Sequence, residues 1–284
     1  MRHVGRLFAS FAVAMALAAL GLSGPASPPA AWALTPGPIV AQFNMCGGND
    51  CSGTPAQKVG WIASTVIARQ ARVLTLNEVC GNQLSVLTDR LRAGGYAMQA
   101  SFMATVPAGG SRCAGTAYGN AVLTRTTQAS VRRHVFAAQD GGAQKRAVLC
   151  VLTQLARASQ VCTTHLSPGP RRAAVRDRQV AETVAFARLV SRPTLLMGDL
   201  NDYPASDSFD RVYAPSYGGG ATGAYVEGGS TRGGLPCRCG APTRGSTKID
   251  YVFASGSAFG PGTSQTIDAP YSDHHLLLAR PVWR

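Results

Sequence analysis

Carboxylates are scarce in this chain. Only 14 Asp and Glu stand against 27 Lys and Arg, a formal net charge of +13. That imbalance argues against a cationic partner and for a polyanionic one, nucleic acid first and an anionic membrane surface second. Lysine is scarcer still, since 24 of the 27 basic residues are arginine; compositional bias and solubility are the competing reading of the same charge. No apolar run beyond about residue 22 is long enough to span a bilayer, which excludes stable insertion by a later helix. Cys-x-x-Cys pairs with partner histidines are missing, which removes the usual case for structural zinc. Internal repeats and linkers are also missing, so a solenoid or a string of domains is not expected.

What is present begins with an export signal. Arg2 and Arg6 precede an apolar core from about Leu7 to Leu22, and Ala31-Trp32-Ala33 supplies a small-x-small cleavage site. Cleavage before Leu34 would leave 251 of the 284 residues, with a charge of about +11 once Arg2 and Arg6 are gone. The expectation is a secreted, soluble, monomeric protein, with residues 1–33 as signal peptide and 34–284 as a single α/β domain. All eight cysteines, Cys46, Cys51, Cys80, Cys113, Cys150, Cys162, Cys237 and Cys239, fall in the exported part. An even count in an oxidising compartment suggests disulfides. Cys46 with Cys51 and Cys237 with Cys239 could close small loops, Cys150 with Cys162 could cross a hairpin, and Cys80 with Cys113 would pair by elimination. Sequence does not determine connectivity, and a nucleophilic cysteine stays open.

Along the chain, Pro38 to Asn44 reads as a strand ending on a polar residue. Val59, Ile62, Ala63, Val66 and Ile67 then repeat with helical spacing, as on an amphipathic helix covering a sheet. Arg72 to Val79 is a second strand, and a short helix near Gln83 to Arg92 closes at Gly94-Gly95. From Tyr96 to His165 short β-rich segments separated by turns suggest an antiparallel meander. Arg171 to Val190 is the longest helical stretch. Thr194 to Asp202 is an apolar run that stops abruptly at Gly198, Asp199 and Asn201, a buried strand with polar groups at its end. Tyr213 to Thr247, rich in Gly, Ser and Thr, reads as a long surface loop lining a cleft. Ile249 to Ala254 and Leu276 to Ala279 are the last strands. Strands interleaved with covering helices imply α/β architecture with mixed sheets packed face to face.

Polar residues recur at these strand ends: Asn44, Glu78, His165, Asp199 with Asn201, Asp250, and Asp273 with His274. A set of carboxylates, amides and imidazoles without thiolates suits a hard cation such as Mg²⁺, Mn²⁺ or Ca²⁺. On an extended segment Asp199 and Asn201 would point the same way and share one small target.

In order, Gln42-Phe43-Asn44, Leu76-Asn77-Glu78, Tyr118-Gly119-Asn120, Thr164-His165, Met197-Gly198-Asp199-Leu200-Asn201, Lys248-Ile249-Asp250-Tyr251 and Ser272-Asp273-His274 resemble the endonuclease/exonuclease/phosphatase superfamily. That superfamily includes pancreatic-type deoxyribonucleases, abasic-site endonucleases, neutral sphingomyelinases and inositol-polyphosphate phosphatases. The resemblance covers about residues 38 to 280 and looks like a secreted bacterial-type, pancreatic-deoxyribonuclease-like member. It implies a four-layer sandwich, two packed mixed β-sheets flanked by helices. It also implies a metal-dependent phosphodiesterase cutting nucleic acid, DNA first, with Mg²⁺ as the leading cofactor. Asn44, Glu78 and Asp273 would form the metal environment, with Glu78 the principal carboxylate. Asp199 and Asn201 would hold the attacking water or the scissile phosphate, and Asp250 would fix the tautomer of His274. His274 would be the base or would stabilise the phosphorane, and His165 would protonate the leaving oxygen. Gly198 would let the phosphate approach the backbone. Asn120 would contact phosphate or else satisfy neighbouring backbone groups.

One position departs from the pattern. Pancreatic-type nucleases tend to place a basic residue two positions after the glutamate, where Cys80 stands. Basic contacts would then come from Arg112, Arg132, Arg133, Arg171, Arg172 or Arg244. A sphingomyelinase-like phospholipid phosphodiesterase and a small phosphate-ester phosphatase are the alternatives on the same core, and a secreted binding module is the non-enzymatic one.

Overall fold

The computed structural model describes Met1, residues 34–48 and residues 51–284. The expected signal peptide, Met1 apart, lies outside the described residues. In chain order the strands are β1 (Thr35–Pro36), β2 (Val40–Asn44), β3 (Val73–Cys80), β4 (Gln99–Val106), β5 (Tyr118–Thr124), β6 (Gln128–Val135), β7 (Ala147–Gln154) and β8 (Ala158–His165). They continue as β9 (Thr194–Asp199), β10 (Tyr225–Glu227), β11 (Thr231–Arg232), β12 (Leu235–Pro236), β13 (Asp250–Ser255), β14 (Phe259–Ile267) and β15 (Leu276–Trp283). The helices are α1 (Pro55–Ala68), α2 (Gly81–Ala93) and α3 (Ala173–Arg188).

Two mixed sheets face each other. The first runs β1-β15-β2-β3-β5-β4 with β14 added to β15, and the second runs β10-β13-β9-β8-β7-β6. Val40, Val73 and Val122 of the first sheet share one apolar core with Val148, Val161 and Leu195 of the second, and Val180 and Val184 of α3 join that core. The opposite face of the first sheet, with Ala41, Leu74 and Leu76, packs on Val59, Ile62 and Val66 of α1 and Leu84, Leu87 and Leu91 of α2. Helices therefore cover both outer faces, the four-layer arrangement expected of an α/β sandwich. The helical spacing predicted over residues 59–67 sets the buried face of α1. The helix starts at a capping box: Gln57 N–H donates to Thr54 Oγ1 at 3.2 Å and Thr54 N–H to Gln57 Oε1 at 2.8 Å, worth about 1 kcal/mol. Among the described residues no helix is long and apolar enough to cross a membrane.

Three expectations change. The supposed meander from Tyr96 to His165 is split, because β4 and β5 belong to the first sheet and β6, β7 and β8 to the second. Alternation identifies a strand but carries nothing about which sheet it joins. Strand β14 went unrecognised because Pro261 and Gly262 interrupt it; the register with β15 shifts between Gly260 and Thr263, a bulge that tolerates both. The segment 213–247 is not simply a surface loop. Tyr213, Tyr217 and Glu227 are buried, and the Glu227 carboxylate takes the Tyr213 hydroxyl and the Lys248 ammonium (2.7 Å). A few aromatic anchors tie down a stretch whose bulk composition is that of a loop.

The cysteines pair as Cys46–Cys51, Cys80–Cys113, Cys150–Cys162 and Cys237–Cys239, and none is free. The reading of a nucleophilic cysteine therefore falls. Cys150 and Cys162 are direct partners across the β7–β8 ladder. Cys237 and Cys239 follow β12, where the Cys239 N–H donates to the Cys237 carbonyl at 2.9 Å and the Cys239 carbonyl accepts from the Ser230 hydroxyl at 2.9 Å. That pair fastens the 213–247 segment to itself. Cys80–Cys113 spans 33 residues, so replacing both by Ala is expected to lower unfolding stability by about 4 kcal/mol from loop entropy. A loss under about 1 kcal/mol in urea titration would contradict that.

Candidate active site

Each sheet has a parallel pair at its centre, β2 with β3 and β8 with β9, flanked by antiparallel strands. The carboxyl ends of the parallel strands carry Asn44, Glu78, His165 and Asp199. Antiparallel neighbours start where those strands end, so Asp250 at the start of β13 and His274 just before β15 reach the same rim. The registers are direct: His165 and Asp250 are both Cα partners of Asp199 on either side of it.

Asp199 is the hub. Asn44 Nδ2 donates to its Oδ2 at 3.0 Å, with His165 Nε2 at 3.5 Å and His274 Nε2 at 3.7 Å from the same oxygen. Behind His274, Nδ1 meets Asp250 Oδ2 at 2.7 Å. Beneath the carboxylates lies a buried amide pair that the sequence reading did not single out. Asn77 Oδ1 accepts from Asp199 N–H (2.8 Å) and from Gln42 Nε2 (2.8 Å), and Gln42 Nε2 also reaches Asp250 Oδ1 at 3.3 Å. The Asp199 backbone and the Asp250 carboxylate, on neighbouring strands, are thus tied to one another through two neutral amides.

Glu78 reaches the cleft because of a bulge. Leu74 and Leu76 face the helices, and strict alternation would send Glu78 the same way. The β3–β5 register shifts between Leu76 and Val79, and Glu78 takes φ +58°. A non-glycine residue there stores roughly 1–3 kcal/mol of strain, and the result is a part-exposed carboxylate 3.9 Å from His165 Nε2.

Asn44, Glu78, His165, Asp199, Asn201, Asp273 and His274 all line one cleft of about 350 Å³. Asp250 is fully buried behind His274. Asp273 is half exposed, and one of its oxygens, Oδ2, is held by Arg244 at 2.7 Å. Two sequence expectations about geometry are corrected. Asn201 does not share a strand face with Asp199: the strand ends first, and Asn201 turns back at φ +52°, its N–H donating to Asp199 Oδ1 (3.0 Å) and its Nδ2 to Leu166 O (3.0 Å). A Cβ at Gly198 would collide with the Thr164 carbonyl of β8, so strand packing by itself requires glycine there. Asn120 does not reach the cleft either. It is buried, and its Oδ1 accepts from Asn77 Nδ2 at 3.0 Å, so it orients that amide. Of the cysteines, Cys46 and Cys51 border the cleft and Cys113 a neighbouring cavity, whereas Cys80, Cys150, Cys162, Cys237 and Cys239 line neither.

Of the candidate arginines, Arg244 lines this cleft, whereas Arg112 and Arg172 line the neighbouring cavity. Arg132 sits over the Phe186 ring and Arg133 on the Phe102 carbonyl, both on edge strand β6. Arg171 lines neither the cleft nor that cavity. The residue missed was Arg146, immediately before β7. It is buried, lines the cleft, and its Nη1 has no hydrogen-bond partner among the described residues. A lone arginine just ahead of an apolar strand was the available signal. Gln144, also missed, stands 3.3 Å from His165 Nδ1. As amide donor there, it leaves the ring proton on Nε2, facing Asp199.

The charges sort themselves by environment. Burial raises the Asp199 pKa to about 7, with the Asp250 charge adding to it and His274 and Asn44 opposing. Burial alone would depress His274, but the Asp250 carboxylate and then Asp199 and Asp273 raise it to about 9. His165 moves the other way: burial, then the cations of Arg146, His274 and Arg244, hold it well below the ordinary histidine value. Near neutral pH the free protein has an imidazolium at 274 and a neutral imidazole at 165. His165 therefore enters the site as a neutral imidazole.

The model of the Endonuclease/Exonuclease/phosphatase family matches residues 41–274. The chain belongs to that family. Members of the Endonuclease/Exonuclease/phosphatase family share this fold at low identity. The human Nocturnin catalytic domain, solved with a bound sulfate anion, superposes with a TM-score of 0.68 at 16% identity over 88% of this chain and 94% of that one. D. rerio TDP2 complexed with single-strand DNA product gives 0.62 at 13% over 87% and 98%. A mannosyl-6-phosphatase of Bacteroides thetaiotaomicron VPI-5482 gives 0.59 at 13% over 86% and 99%. A search of curated proteins returns no match. The family resemblance read from the strand-end motifs is confirmed. As an Endonuclease/Exonuclease/phosphatase member the chain belongs with phosphoric-ester hydrolases that generally use a divalent metal.

Proposed function

We propose that the protein is an exported, Mg²⁺-dependent phosphodiesterase that hydrolyses nucleic acid, DNA first. The observation that carries this reading is the array Asp250, His274, Asp199 and His165 on one rim, opposite Glu78, in a cleft edged by Arg146 and Arg244. The net charge of +13 supports a polyanionic substrate, and the solved TDP2 relative holds a single-strand DNA product. Export rests on the N-terminal pattern.

The donor set fits a hard divalent cation. Glu78, Asn44 and Asp273 present oxygen atoms to one cleft, and every cysteine is locked in a disulfide. Asn44 Oδ1 takes the Cys46 N–H at 3.1 Å and keeps a second lone pair. A cation held there, chiefly by Glu78, would offset charge on the non-bridging phosphate oxygens.

The chain's own residues supply the rest. Asp199, with its pKa near neutrality, takes the proton of the attacking water, and the Asn201 N–H on Oδ1 aims the carboxylate. His274, kept charged and oriented by Asp250, donates from Nε2 to the phosphorane. His165 donates a hydrogen bond from its neutral Nε2 to one non-bridging phosphate oxygen and the unpaired Nη1 of Arg146 to another, and as the P–O bond breaks the leaving alkoxide takes its proton from the His274 imidazolium, with the proton held by Asp199 available to restore it.

Purified protein with Mg²⁺ is expected to cut plasmid and single-stranded DNA, with EDTA stopping the reaction. Parallel assays on RNA, sphingomyelin vesicles and an inositol polyphosphate set the substrate class. Faster release of choline phosphate or inorganic phosphate than of nucleotides would replace this reading by the sphingomyelinase or phosphatase one.

A further inference from the structure

The reaction cleft is edged by two guanidinium groups, Arg146 and Arg244, held in opposite ways. Arg146 is clamped: its Nε lies 3.3 Å from Asp140 Oδ2, and the two side chains are only 7% and 5% exposed. Arg244 is held loosely. Its Nε and Nη2 both donate to Asp273 Oδ2, at 2.8 and 2.7 Å, and these side chains keep 52% and 44% of their surface in solvent. A buried pair broken on one side leaves an uncompensated charge, whereas an exposed pair contributes little and exchanges partners at small cost.

The base of Arg244 is fixed even though its side chain is not. Its N–H donates to the Thr247 carbonyl at 2.9 Å, its carbonyl accepts from the Thr247 N–H at 2.8 Å, and its backbone bridges that of His274. Beside it, the Thr243 carbonyl accepts the His275 N–H at 2.7 Å, and Thr243 Oγ1 accepts the N–H groups of Ile249 and Asp250 at 3.1 and 2.9 Å. The turn that carries Arg244 is thus stitched to the segments that present Asp250 and His274, and only the side chain is left to move. Asp273 is divided in turn: both contacts from Arg244 fall on Oδ2, while Oδ1 faces Cys51 Sγ at 3.7 Å, a disulfide sulfur with no proton to give.

We propose that Arg244 and Asp273 form a latch opened by divalent-cation binding: Asp273 gives up Arg244 for the cation, and the released guanidinium takes a non-bridging oxygen of the substrate phosphate. The latch presupposes the metal-dependent phosphodiesterase reading and deepens it, because it couples the two binding events. While it is closed, a guanidinium sits on a carboxylate that would hold the cation, and that carboxylate occupies a donor that would hold the phosphate. A divalent charge on Asp273 cancels the attraction that keeps the guanidinium there and repels it. The phosphate then offers paired acceptors that suit the planar fork better than a single Oδ2 does. The coupling is reciprocal: affinity for a phosphodiester rises once the cation is bound, and affinity for the cation rises with the diester in place. Arg146, clamped on Asp140, supplies the constant phosphate contact and Arg244 the conditional one.

Binding, not turnover, tests the latch: Mn²⁺ is titrated by calorimetry, and bis(p-nitrophenyl) phosphate in EDTA by NMR through the ring signals of His165 and His274. Arg244→Gln is expected to tighten Mn²⁺ binding by about two- to fivefold, the range an exposed ion pair can contribute. In the metal-free parent the same substitution should cost less than about twofold in diester affinity, because the arginine is latched. In the Asp273→Asn background, where it is released, the cost should be about fivefold or more. A charge acting at a distance would cost the same in both backgrounds. Arg244→Ala should carry the same signs if glutamine disturbs the turn. Weaker or unchanged Mn²⁺ binding in Arg244→Gln, which would make Arg244 a support of Asp273, overturns the latch, and so does an equal cost in the two backgrounds. Parent protein that binds no Mn²⁺ overturns the metal assignment and the latch together. Parent protein that shows this coupling but hydrolyses no diester overturns the phosphodiesterase reading and leaves the latch standing.

Discussion

Asp199→Asn is expected to lower kcat on a phosphodiester by about 10⁴-fold, with KM and thermal stability little changed. Asparagine keeps the shape of the side chain and can still accept the Asn201 N–H through Oδ1, while its amide nitrogen replaces the oxygen that took the Asn44 amide. What it removes is the ability to take a proton. In the parent protein, activity requires Asp199 ionised and His274 protonated. The rate should therefore rise with pH through about 7 as Asp199 loses its proton, and fall through about 9 as His274 loses its own. The optimum lies between them, and His165 stays neutral across that window. The residual activity of the asparagine variant should lose the limb near 7 and keep an alkaline limb, shifted below the parent's because the Asp199 charge is one of the causes that raise His274. A loss of tenfold or less, or an unchanged acid limb, would remove Asp199 from the role of base.

Glu78→Gln should have the next largest effect, about 10³-fold or more in kcat/KM at fixed Mg²⁺. The carboxylate reaches the cleft only through a bulge and a left-handed backbone, strain that is kept where a side chain must be aimed. Glutamine preserves that geometry and removes the charge. Calorimetric titration of Mn²⁺ should therefore show affinity lost while the melting temperature of the metal-free protein holds or rises. Undiminished Mn²⁺ binding would move the metal away from Glu78. Because the Glu78 charge is one of the causes that raise Asp199, the acid limb of the residual activity should also shift below the parent's.

Most of the site was legible because its chemistry sits at strand ends. A buried strand reads as an apolar run, so the first polar residue after it is conspicuous; Asn44, Glu78, His165 and Asp199 were all visible in this way. Asp250 and His274 were equally visible at strand starts. Arg146 was not: it is one arginine among 24, and its place just ahead of an apolar strand is a weak signal that does not by itself tell a buried guanidinium from a solvated one. Asn77 and Gln42 were hidden because a polar residue inside a strand gains meaning only from the carboxylates that other strands bring to it. The disulfide pairs Cys46–Cys51, Cys150–Cys162 and Cys237–Cys239 were readable because their sequence distance is short. Cys80–Cys113 was reached by elimination, and its part in holding a cavity wall depends on where β4 and β5 pack.

The sequence by itself determined the family, the strand ends that carry the reactive groups and the excess of positive charge, because each is written in residue order and composition. Tertiary structure alone decided protonation: two histidines with the same intrinsic pKa part in opposite directions, since Asp250 lies 2.7 Å from one while burial, and after it the charges of Arg146, His274 and Arg244, act on the other. It also decided the roles of Gly198, Asn201 and Asn120. Those depend on which backbone or amide lies alongside, a relation between strands far apart in the chain that the local pattern of any one strand does not contain.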